Sequence, residues 1–109
     1  MVSHNIINCI DNSYPASLSE KVISELRNTL DFSGIVMTDD LAMDAVKSYV
    51  TDGKAATLAI NAGNDLIITS DFVNMYNEVL TAVNNGEISL ERINDSVKRI
   101  LAWKIAYNM

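Results

Sequence analysis

Hydrophobic residues in this chain gather into three short runs, separated by longer stretches with helical spacing. Strand candidates begin near Met1, Gly34 and Asp65, about 32 residues apart, close to the ~30 residues a βαβ unit needs. The run Leu66-Ile67-Ile68-Thr69 is continuous rather than alternating, as expected of a strand buried on both faces. Between the runs lie helix signals. After an irregular polar loop from Asn5 to Ala16, Ser17 with Glu20 three residues on reads as a capping box. Val22, Ile23, Leu26 and Leu30 then share one face, and Phe32-Ser33-Gly34 ends the helix. A second helical pattern follows the middle strand, breaks around Tyr49 to Gly53, resumes from Lys54 to Ala62 and stops at Gly63. Asp71 is placed to cap a helix carrying Val73, Met75, Tyr76, Val79 and Val83, which stops at Asn84-Asn85-Gly86. Ser89 caps a last helix with an apolar stripe of Ile93, Val97, Ile100, Leu101 and Ile105. The order β-α-β-α-β-α-α, with right-handed crossovers, predicts three parallel strands near 1–4, 34–38 and 65–70. Helices are expected on one face only, the last ending by Tyr107.

Composition narrows the setting. A chain of 109 residues is one small domain or part of a larger one, and 49% hydrophobic content demands a core. A net charge of −6 without a basic cluster argues against nucleic acid and anionic membrane surfaces as partners. No apolar run approaches the ~18 residues of a membrane span, and the first residues lack a signal-peptide layout. The chain as written therefore reads as cytoplasmic. Cys9 stands alone, so neither an internal disulfide nor a Cys/His metal pattern is available, and it reads as a semi-buried thiol.

Chemistry concentrates in Gly34-Ile35-Val36-Met37-Thr38-Asp39-Asp40-Leu41-Ala42-Met43. An apolar run of strand length stops at two adjacent carboxylates, and a helical pattern begins directly after them. In a parallel α/β sheet that junction is the carboxyl end of a strand, where ligands and chemistry are placed. Taken by itself, Thr38-Asp39-Asp40 reads first as a helix N-cap. His4 is the chain's one histidine. Met37 and Met43 read as core filler, and the acidic stretch from Glu78 to Asp95 as a solvated face.

Met1-Val2-Ser3-His4, Pro15-Ala16-Ser17-Leu18-Ser19, Gly34 to Leu41 and the tail Asn85 to Leu101 together resemble glycoside hydrolase family 3. The likeness is to the carboxyl-terminal part of the catalytic domain in its β-N-acetylhexosaminidase branch, and it covers nearly the whole of residues 1–109. It implies an α/β fold, a partial (β/α)8 TIM barrel of about three C-terminal βα units with parallel strands. It also implies a retaining glycosidase acting on terminal β-N-acetylglucosaminyl residues, with Asp39 as the catalytic nucleophile and no cofactor or metal. Asp40 would turn away to bond backbone amides or orient its neighbour. His4 matches the end of an earlier strand, where it would line the sugar pocket as a substrate-binding residue. The family's general acid/base, a His–Asp pair, and its Lys-His segment match nothing here, so the chain alone is expected to be inactive. Met1 falls where the family has an internal methionine, so the chain reads as an interrupted gene, a mispredicted start or a deliberate cut. Three strands would leave a sheet face and two edges open, inviting self-association. A catalytically inactive sugar-binding or scaffold fragment remains an alternative. So does an α/β regulatory domain whose paired Asp would serve as a phosphoacceptor or Mg²⁺ site, although Met1–His4 supplies no second acidic pair.

Overall fold

The computed structural model describes residues 1–109 and is built from helices around three extended segments. The helices are α1 (Glu20–Ser24), α2 (Asp44–Lys47), α3 (Ala55–Ala62), α4 (Phe72–Asn84) and α5 (Leu90–Ala106). A 3-10 turn, Ala16–Leu18, precedes α1, and a π turn, Glu25–Thr29, follows it. No helix is long and apolar enough to cross a membrane.

Helix α3 is the centre of the packing. Half of its side chains are alanine, so neighbours approach closely on several sides, and Ala55, Ala56, Ala59, Ile60 and Ala62 are all buried. Leu18, Leu41 and Val46 close against its first half, while Ala82 and Ile88 close against Ile60. Gly63 ends α3 at φ 120°, a backbone geometry that favours glycine. A Cβ there would stand 2.8 Å from a methyl of the buried Ile23, so the position excludes larger residues twice over.

The expected partial TIM barrel with a three-stranded parallel sheet is not what the chain forms. The extended segments meet only in isolated bridges, Val2 with Thr38 and Met37 with Leu66, both parallel; no strand and no sheet develops. Side chains explain why. A parallel ladder extended from Met37–Leu66 would send the amides of Val36 and Ile68 to backbone carbonyls of the facing segment. Instead Val36 N donates to Asp65 Oδ2 at 3.0 Å, and Ile68 N donates to Thr38 Oγ1 at 3.1 Å. The Asp40 amide donates to the side chain of Asp39 at 2.8 Å. Polar side chains at both ends take the amides that would lengthen this pairing, so the Met37–Leu66 ladder stops after one bridge.

Helix boundaries needed corrections too. The first helix is capped by Ser19, whose Oγ accepts from Val22 N at 3.2 Å, and not by Ser17. Ser17 is buried in the 3-10 turn with its hydroxyl 2.7 Å from His4 Nδ1, so its side chain is turned to the imidazole and not to the helix amides. Leu30, expected on the apolar face, is exposed past the π turn. The helix expected directly after Asp40 shrinks to the four residues of α2. Met43 and Cys9 are exposed rather than packed, and Glu78 accepts from both the amide and the hydroxyl of Thr57, tying α4 to α3 rather than facing water. Gly63, the α4 stop near Gly86 and the Ser89 cap, which accepts from Arg92 N at 3.1 Å, stand where the sequence puts them.

Helix α5 turns only part of its expected apolar stripe inward. Ile93 packs against the Ile60, Ala82 and Ile88 cluster and Ile100 is half-buried, whereas Val97, Leu101 and Ile105 are exposed. Ser96 is buried, with Arg92 and Arg99 half-buried beside it. The reason lies at Asp65, whose carboxylate is wholly enclosed. It accepts from Arg27 Nη2 at 2.7 Å, Val36 N at 3.0 Å, Ser96 Oγ at 2.7 Å and Arg99 Nη1 at 3.0 Å. An enclosed carboxylate without donors costs far more than a few exposed aliphatic side chains. Arg92 completes the junction by donating to the Ile60 carbonyl at 2.9 Å and the Asn64 carbonyl at 2.7 Å, at the carboxyl end of α3.

Candidate active site

The middle extended segment alternates. Val36 and Thr38 point into the helices and are buried, which puts Ile35, Met37 and Asp39 on the opposite face, all half-buried. Asp39 is anchored by its backbone, its amide donating to the Val2 carbonyl at 3.0 Å. Its side chain makes one bond, Oδ1 accepting from the next amide, Asp40 N, at 2.8 Å. The other carboxylate oxygen has no hydrogen-bond partner in the chain. A negatively charged oxygen on a short side chain is thus held at a fixed backbone position and left uncommitted.

Asp40 is treated differently. One of its oxygens accepts from Ala42 N at 2.9 Å and from Ser70 N at 3.0 Å. The Ala42 amide above all, then Ser70, holds its carboxyl below the ordinary aspartate value, with His4 adding a smaller pull in the same direction. Asp40 therefore joins the turn to the third segment, whose Ile68 carbonyl also accepts from Leu41 N at 3.0 Å.

His4 is brought to the back of the same turn. Its Nε2 lies 2.8 Å from the Asp40 carbonyl oxygen and its Nδ1 lies 2.7 Å from Ser17 Oγ. Both ring nitrogens are engaged within the chain. The sequence points to Asp39, Asp40 and His4 but not to Ser17, the partner of His4, or Ser70, the partner of Asp40. It also missed Asp65, named only as the start of a strand. The signal available for Asp65 was the polar spacing Arg92, Ser96, Arg99 on one side of a helix, three donors with no evident solvent role. No group of three or more His, Cys, Asp or Glu side chains could hold a metal ion. The largest depression in the surface, lined by Cys9, Ile10, Glu20, Lys21, Ser24 and Glu25, includes neither Asp39 nor His4.

Known proteins resemble this chain in sequence and fold. An uncharacterized secreted glycosyl hydrolase of Arthroderma benhamiae is 33% identical over 94% of this chain and 31% of its own length. A beta-hexosaminidase of Nitrosomonas eutropha is 33% identical over 76% of this chain and 24% of its own. A family 3 beta-N-acetylglucosaminidase from a Paenibacillus species superposes with a TM-score of 0.75 at 37% identity, over 85% of this chain and 19% of that one. The chain thus spans about a third or less of the length of these relatives. Residues 1–103 match the glycosyl hydrolase family 3 N terminal domain, and the chain belongs to that family.

Proposed function

We propose that this chain is the nucleophile-bearing segment of a retaining glycosidase that removes terminal β-linked N-acetylglucosamine, a sugar of cell-wall fragments, with Asp39 as the attacking group. The observation that carries the reading is the contrast between neighbours. Asp40 spends an oxygen on two amides, whereas Asp39 keeps one oxygen unpartnered on the face opposite the helices. A retaining mechanism needs a carboxylate that attacks the anomeric carbon and a second group that protonates the departing oxygen. The second group is not supplied here. His4 and Asp40, the titratable neighbours, are both bonded into the turn.

Two assays test the reading. The chain alone should be essentially inactive on aryl N-acetyl-β-glucosaminides, because general acid catalysis is typically worth 10²–10⁴-fold and substrate positioning more. A hexosaminidase in which this chain replaces the matched segment of the Nitrosomonas eutropha relative should turn over, and Asp39→Asn should abolish its activity. Turnover by the chain alone, or a chimera indifferent to Asp39→Asn, overturns the assignment. A chain that binds N-acetylglucosamine while the chimera stays inactive would favour a sugar-binding fragment.

We further propose that the isolated chain self-associates. Phe72, Val73, Tyr76 and Leu80 lie along one side of α4, and Val97, Leu101 and Ile105 along α5, all exposed. Light scattering should report a dimer or larger species, and a compact monomer would refute this.

A further inference from the structure

We propose that His4 is a positioning residue for Asp39, acting through the Asp39–Asp40 turn; this rests on the reading of Asp39 as nucleophile. A carbonyl oxygen can only accept a hydrogen bond, so the His4 nitrogen 2.8 Å from the Asp40 oxygen carries the proton. In the neutral imidazole, Nδ1 is then the acceptor, and the donor 2.7 Å away is the Ser17 hydroxyl. Ser17 is itself fixed, with its side chain buried, its amide on the Ser3 carbonyl and its carbonyl accepting from Asn64 Nδ2 at 2.8 Å. The relay Asn64–Ser17–His4–Asp40 therefore runs from a buried amide to the backbone of the residue that follows the free carboxylate.

The arrangement at the turn leaves this relay a definite task. Asp39 is held from the front by its amide on Val2, and Asp40 from the side by Ser70. The Asp40 carbonyl is held by His4 at 2.8 Å and by the longer bond from Met43 N at 3.3 Å, while the Leu41 amide of the same peptide donates to the Ile68 carbonyl at 3.0 Å. A shift of the Asp40 backbone on losing the His4 bond would also move its own amide, which lies on the preceding peptide and makes the single bond that orients the Asp39 side chain. Placing the attacking oxygen matters because an error of about 1 Å can cost 10²-fold in rate.

The test uses the 109-residue chain, whose single histidine makes the imidazole signals unambiguous. Long-range ¹⁵N–¹H correlation, taken at a pH where the ring is neutral, should show protonated Nε2 and unprotonated Nδ1. In His4→Ala, amide exchange at Asp39 and Leu41 should rise about 3–10-fold, the span produced by losing a hydrogen bond of ordinary strength. The Asp39 carboxyl carbon signal should move with it. Exchange at Ile93, in the first turn of α5, should not change. His4→Gln, which places an amide N–H near the Nε2 position, should return exchange and the carboxyl signal close to the original values. A protonated Nδ1 with bare Nε2, or an Asp39 carboxyl indifferent to His4→Ala, overturns the proposal. If His4→Ala unfolds the chain, seen as faster exchange at Ile93 too, the ring tautomer and the His4→Gln rescue decide. Loss of the nucleophile reading would appear separately, as a chimera indifferent to Asp39→Asn with the imidazole signature intact.

Discussion

Asp39 and Asp65 lie at opposite ends of the paired extended segments, and their surroundings differ in every respect. Asp65 is enclosed, and two guanidinium groups, a hydroxyl and an amide converge on it. Burial by itself would raise its pKa; the Val36 amide, Ser96 and Arg99 outweigh that and hold the group below the ordinary value. Asp39 has one bond, from its own neighbour, and an oxygen left over. The first carboxylate is saturated and joins the π turn, the middle segment and α5. The second is fixed by its backbone and unsaturated at its tip. A structural carboxylate and a reactive one can thus be told apart by how many of their oxygens the chain has already used.

Substitutions should separate the two roles. Asp39→Asn in the chimeric hexosaminidase should lower turnover of an aryl N-acetyl-β-glucosaminide by at least about 10³-fold, roughly 4 kcal/mol in the barrier. The same change in the chain should leave the urea midpoint nearly unmoved, as expected of a side chain with one local bond. Asp65→Asn should do the reverse. It strands Arg27 and Arg99 without a counter-charge and should destabilise the chain by about 3–5 kcal/mol in urea unfolding. An Asp65→Asn chain as stable as the original would end the comparison.

Smaller effects sharpen it. Asp40→Asn in the chimera should cost markedly less than Asp39→Asn, about 10-fold, because an asparagine oxygen still accepts from Ala42 and Ser70. Acid should act on the saturated group. Asp65, like Asp11 with its bonds from Ser19 and Ser13, titrates below the ordinary 3.8 in the folded chain. The unfolded chain then takes up protons first, so the stabilisation is complete above pH 3.8 and is lost as the pH falls through the lower folded values. Urea midpoints followed below pH 4 should fall, and fall less steeply in Asp65→Asn. Ser89→Ala, which removes the α5 cap, should cost about 1 kcal/mol in the same assay.

Much of this was visible before any coordinates. The stop at Gly63 and the Ser89 cap depend on residues close in sequence and lie where local chemistry puts them. The helix after Asp71 forms too, but the Asp71 carboxylate accepts from Asn74 Nδ2 and caps no backbone amide. The paired carboxylates at an abrupt strand-like end also marked the site. Ser17 deceived, since a capping-box pattern says nothing of an imidazole 13 residues away that competes for the same hydroxyl.

By itself the sequence determined the order of the helices, the Gly63 stop, the Ser89 cap and the family, because each rests on short-range patterns or on motifs kept in register. Tertiary structure decided which face of α5 turns inward, where the ladders stop and which of two adjacent aspartates keeps a free oxygen. Those outcomes are settled by donors that arrive from afar. Arg27 and Arg99 reach Asp65 across 38 and 34 residues, and the Ser70 amide reaches Asp40 across 30. A buried charge must find its partners wherever the fold brings them, and no local pattern records that requirement.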